Sequence, residues 1–113
     1  MWLFTKYGFY SIVKDSNSAH YKCRARRKKD LVNLISNFKY LSEYEIHCDK
    51  KADYHYRIFI SQNHFSMLML SISNTVDYSN FKDSISKNKD QVNKVDHYSE
   101  VWETMYSYQI KNT

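Results

Sequence analysis

The residues in this chain whose types and spacing could do chemistry are mostly cationic. Lys22, Arg24, Arg26, Arg27, Lys28 and Lys29 set six positive side chains within eight positions. In an extended chain, successive side chains point to opposite faces. Lys22, Arg24 and Arg26 therefore share one face with His20, while Tyr21, Cys23 and Ala25 are left for a core. Guanidinium groups presented together grip phosphate oxygens bidentately. The plainer account is a solvated edge strand whose charges prevent sheet-to-sheet pairing. Lys28 and Lys29 stand at a helix start, where cations oppose the helix dipole, so local helix stability does not explain them.

Two further clusters join this one as candidate ligand-binding residues. Tyr54-His55-Tyr56-Arg57 places aromatics beside an arginine, the combination with which RNA-recognition domains stack bases on a sheet. The small residues and glycine that separate the aromatics of that motif are missing here. Tyr54 and Tyr56 also read as core or rim packing. Arg57 reaches the Arg24 surface if the two strands are neighbours. In Asp77-Tyr78-Ser79-Asn80-Phe81-Lys82, the residues Tyr78, Asn80 and Lys82 read either as the floor of a pocket or as a cap, a packed turn and a splayed lysine.

Other chemistries find little support. A single glycine excludes a Gly-rich phosphate loop, and no serine nucleophile elbow is present. None of the five histidines has the spacing of a metal motif, so no metal and no cofactor is expected. His20 or His55 would be the general acid of any phosphodiester chemistry. Cys23 lies in a basic strand, which lowers a thiol pKa, but its inward face reads as an inert core position.

The elements that must position these residues follow from periodicity. Apolar or β-branched runs at 1–5 and 9–14 and the basic strand at 20–26 are joined by short polar turns, which makes them antiparallel neighbours. Asp30 reads as the N-cap of a helix whose stripe is Leu31, Leu34, Ile35 and Phe38. Weak strand character at 43–49 precedes the strongest strand, 54–60, with Tyr54, Tyr56, Ile58 and Ile60 on one face and Arg57 on the other. Ser61 caps a helix over 62–75 that is apolar most of the way round, either deeply buried or half of an oligomer interface. Asp77 caps a short helical turn holding Phe81 and Ile85, and a last helix covers about 95–109. This order predicts an α+β fold: a mainly antiparallel sheet of four to five strands, with two to three helices packed on one side, in a ferredoxin-like arrangement or a relative of it.

At 113 residues the chain is read as a single domain, 1–113. It has eleven Tyr and no Pro, so turns fall mainly to Asn, Asp and Ser. A net charge of +5 favours anionic partners. No leader-like segment or membrane-length apolar run appears, and two cysteines form no framework, so a cytoplasmic protein with free thiols is expected.

Met1-Trp2-x-Phe4 with Gly8-Phe9-x-Ser11, then Arg24-x-Arg26, Asp30-Leu31, Asp53-Tyr54-x-Tyr56-Arg57, Asp77-Tyr78-x-Asn80-Phe81-Lys82 and Val101-Trp102 together resemble a family of small stand-alone bacterial proteins. The likeness covers nearly the whole chain. It implies one compact domain and carries no activity with it. Ser79 stands where the resemblance leads one to expect proline.

The expected function is binding of an anionic ligand, nucleotide or nucleic acid, through a basic sheet face, without catalysis. The alternatives are a phosphodiester-processing enzyme using histidine and arginine, and a homodimeric protein-interaction module built on the 62–75 and 95–109 helices.

Overall fold

The computed structural model describes all residues, Met1–Thr113, and they form two compact units, Met1–Asp77 and Tyr78–Thr113. The first unit contains β1 (Trp2–Thr5), β2 (Gly8–Lys14), β3 (Tyr21–Ala25), α1 (Lys28–Asn37), β4 (His47–Cys48), β5 (Tyr56–Ile60) and α2 (Gln62–Ser73). All five strands join one antiparallel sheet in the order β1-β2-β3-β5-β4. The α+β class is therefore as expected. The ferredoxin-like arrangement is not: it needs a helix between its first two strands, whereas here only Lys6-Tyr7 separates β1 from β2. Three strands form a meander before the first helix appears.

One face of the sheet builds the core. Tyr10 and Ile12 of β2, Cys23 and Ala25 of β3, and Ile58 and Ile60 of β5 pack with Leu31 and Leu34 of α1, Leu41, and Leu68 and Ile72 of α2. Each large aliphatic side chain buried there contributes about 2 kcal/mol. Both helices of this unit thus lie on the same face. Helix α2 presents Leu68 and Ile72 inward but leaves Met67 and Leu70 exposed, so it is half covered rather than deeply buried.

The junction of β2 with α1 departs from expectation. The helix starts at Lys28, and no side chain caps it at Arg27. Asp30 is buried inside the first turn. Its carboxylate accepts the Phe9 backbone N–H at 3.3 Å, and its carbonyl accepts the Tyr10 hydroxyl at 2.6 Å. The carboxylate is drawn to the sheet instead of its own helix end. Gly8 makes this approach possible, since a Cβ there would lie 2.4 Å from Asp30 Cγ. The requirement is for space; no glycine here has a positive φ.

Three other boundaries differ. Of the weak strand at 43–49 only His47–Cys48 pairs; Tyr44 is instead committed through its hydroxyl to Ser61 and His64 at the start of α2. The strand expected over 54–60 begins only at Tyr56. Asp77 caps no helix; its carboxylate pairs with Lys6 at 2.9 Å, and that hydrogen-bonded ammonium holds its carboxyl below the usual range. Ser61 caps α2 as expected, accepting the His64 N–H at 3.2 Å.

The second unit consists of α3 (Phe81–Ser86) and α4 (Val95–Lys111). Asn80 caps α3, its side chain accepting the Asp83 N–H at 3.0 Å. Phe81 stacks on Tyr98 with ring centres 5.8 Å apart, and Ile85 is fully buried. No helix of the protein is long and apolar enough to cross a membrane.

Replacing Gly8 with alanine is expected to destabilise the protein by about 1–3 kcal/mol, the usual cost of overpacking. Urea unfolding of the variant beside wild type measures this, and an unchanged midpoint would contradict the close approach of Asp30.

Candidate functional site

The sheet face opposite α1 and α2 carries the cationic residues. Strand pairing sets Trp2, Ser11, Arg24, Arg57 and His47 in one row across all five strands. Lys22 pairs with Phe59 in the next row of the same face. Arg24 and Arg57 are direct partners on β3 and β5, so their side chains start about 5 Å apart.

These charges are held by neutral groups alone. Arg24 donates to the Ser11 hydroxyl at 2.7 Å, and Arg57 donates to the Tyr54 carbonyl at 2.9 Å. Arg26 donates to the Asp53 carbonyl at 3.0 Å. None of the three makes an ion pair with a carboxylate. The Nε of Arg57 is buried without a hydrogen-bond partner. Arg24 and Arg57 are half-buried while Arg26 is exposed, and like charges in partly desolvated surroundings repel each other more than they would in water.

Tyr54 keeps two of them together. The Arg24 and Arg26 guanidinium carbons lie 4.7 and 4.2 Å from its ring centre, and the ring is only 4% exposed. Attraction between a cation and a ring face is worth about 1–2 kcal/mol when partly desolvated. Tyr54 and Tyr56, expected on one face of the strand, lie on opposite faces. Residues 49–55 form tight turns, with the Asp49 N–H bonded to the His55 carbonyl, so strand alternation does not extend back to Tyr54. Tyr56 faces the core, while Tyr54 crosses to the basic face and packs 6.4 Å from Phe9.

Aromatic rings flank the arginines. On one side Phe9 stacks on Phe4 at 4.5 Å, and Trp2 meets Phe9 edge-on at 6.1 Å. On the other side His47 meets Phe59 edge-on at 5.5 Å. Trp2, Phe9, Ser11, Phe59 and His47 were not among the candidates read from sequence. For Phe9 and Ser11 the signal was present in the alternation of β2, where they bracket the core residue Tyr10.

Tyr78, Asn80 and Lys82 belong to the second unit and hold it together. Asn80 is the cap of α3, the Tyr78 ring packs 5.6 Å from Phe81, and the Lys82 ammonium lies 4.7 Å from the Trp102 ring centre. Neither His20 nor His55 hydrogen-bonds an arginine of the cluster; the histidine in register with it is His47, paired with Arg57. Cys23 is fully buried, and desolvation pushes its thiol up to about 12, whereas Cys48 is exposed. No family model matches the chain, and neither does any curated protein or solved structure.

Two outcomes follow from this geometry. Tyr54→Leu is expected to lose about 1–2 kcal/mol with the cation–ring contacts, while Tyr54→Phe stays close to wild type; equal losses would mean the ring face is not what matters. A thiol reagent at pH 8 should modify Cys48 quickly and Cys23 only after unfolding, as mass spectrometry of the labelled peptides would reveal. Because the folded thiol titrates above its unfolded value, Cys23 contributes stability that is present below about pH 8.5 and falls as pH rises toward 12.

Proposed function

We propose that the protein is a non-enzymatic binding protein for an anionic ligand, a nucleotide or nucleic acid, held on the basic sheet face. The observation that carries this reading is the gathering of Arg24, Arg26 and Arg57 around Tyr54 with no carboxylate among their partners. Charges kept only to stabilise a fold are ordinarily paired or left fully in water. Here Arg24 and Arg57 are half-buried beside the exposed Arg26, and a phosphate would supply acceptor oxygens to the guanidinium N–H groups that point to solvent. Lys22 extends the positive strip along β3.

Binding is expected to weaken with salt, since it releases counterions. Three phosphate contacts to a single strand lower affinity roughly 20-fold between 50 and 200 mM salt. The Arg24→Gln and Arg57→Gln variants should each bind a labelled oligonucleotide or nucleotide at least about tenfold more weakly, given the strength of charge-assisted hydrogen bonds. Fluorescence anisotropy at low salt measures both effects. Wild-type protein that binds neither, and whose melting temperature phosphate raises no more than it raises that of the Arg24→Gln variant, would remove the proposal.

A second reading is favoured by one separate feature. From Val101 onward α4 is exposed throughout, and this stretch includes Val101, Trp102, Met105, Tyr106, Tyr108 and Ile110. Its only charges are Glu103 and Lys111, which cancel, so the surface suits an uncharged apolar partner such as the same helix of a second copy. Sedimentation over a wide concentration range should then reveal a dimer that Trp102→Ala with Met105→Ala dissociates; a wild-type monomer at every concentration would exclude it.

A further inference from the structure

Resting on the anion-binding reading above, we propose that the ligand of the sheet face is a single-stranded nucleic acid spanning more than one nucleotide. Its phosphates lie over Arg24, Arg26 and Arg57, and its bases stack on aromatic rings at the two flanks of that cluster.

The arrangement of rings distinguishes this ligand from other phosphates. Tyr54, at the centre, offers no free face, because Arg24 and Arg26 occupy it and the ring is 4% exposed. The outermost rings are different. Trp2 is 67% exposed and meets Phe9 with the ring planes 80° apart. His47 is exposed and meets Phe59 at 72°. In both pairs the contact is edge-on, so it leaves a ring face of the outer residue uncovered. A flat π surface beside guanidinium groups is what an unpaired base requires.

The two flanks are far apart. The row from Trp2 to His47 crosses five strands and extends roughly 19 Å at the usual inter-strand spacing. A mononucleotide carries one base and cannot stack at both ends. A duplex carries many bases but keeps them paired and stacked inside, so its backbone would meet the arginines while Trp2 and His47 found nothing to stack on. A single strand running across β1 to β4 uses the positive centre and both flanks together. Free inorganic phosphate would use the centre alone.

The test is fluorescence anisotropy with four probes at low salt: a labelled DNA 12-mer, the same sequence as RNA, the same sequence as a duplex, and a labelled adenine mononucleotide. Either single strand is expected to bind at least about tenfold more tightly than the duplex or the mononucleotide. Trp2→Ala should lower single-strand affinity roughly 5- to 100-fold, the range for removing one stacking ring, and should leave duplex affinity unchanged. Phe59→Leu, which removes the ring behind His47, provides a second variant. Circular dichroism confirms that both remain folded.

Equal affinity for duplex and single strand, or no effect of either aromatic variant, would overturn this inference. If the Arg24→Gln and Arg57→Gln variants still weakened binding in that case, the anion-binding reading would stand without it. Preferential binding of the mononucleotide would also overturn the single-strand inference and leave the broader reading intact. Absence of binding in every arm, together with no selective stabilisation by phosphate, would remove both.

Discussion

Three guanidinium groups are drawn to a single tyrosine, two by its ring and one by its carbonyl, and every hydrogen-bond acceptor they use is uncharged. Tyr54 attracts Arg24 and Arg26 to its face, and its own carbonyl takes the hydrogen bond from Arg57. One residue thus restrains all three cations. Hydroxyl and carbonyl acceptors orient such groups without neutralising them, so the field of the cluster is preserved. Pairing with carboxylates would have bound the arginines more firmly and cancelled that field.

The remainder of the first unit makes this arrangement possible. Alternation along β2, β3 and β5 divides each strand between an apolar face and the arginine face, and both helices cover only the former. The meander brings Ser11 opposite Arg24, and β5 brings Arg57 to its other side. Gly8 and Asp30 fasten the start of β2 to α1, which fixes the strand that carries Phe9 and Ser11. The positions of the cations are therefore a consequence of core packing on the opposite face, a rigid kind of support for a binding surface.

Much of this was legible in the order of residues. Period-two patterning in 20–26 placed Lys22 and Arg24 on one face because Cys23 and Ala25 have no polar atoms to satisfy outside the core. The same pattern put Arg57 opposite to Ile58 and Ile60. Local periodicity failed where another interaction outweighed it. Asp30 has the composition of a cap, but a tertiary bond to the Phe9 amide holds it elsewhere. Tyr54 continues the alternation of Tyr56 and Ile58 on paper, yet a tight turn precedes the strand and hands its ring to the arginines. Asp77 and Asn80 are both good caps, and pairing with Lys6 removes the first from contention. The flanking rings were hidden for a different reason: Trp2 and His47 sit on edge strands, and only strand order reveals that they end the same row.

The most direct measurement of the central claim is the nuclear magnetic resonance spectrum of the arginine Nε–H groups during titration with a short single-stranded oligonucleotide. The account predicts that the Nε–H signals of Arg24, Arg26 and Arg57 shift together and saturate with one midpoint, because Tyr54 restrains all three groups. Signals that stay in place for these three while Arg27 or the lysine side chains of α1 respond would contradict it.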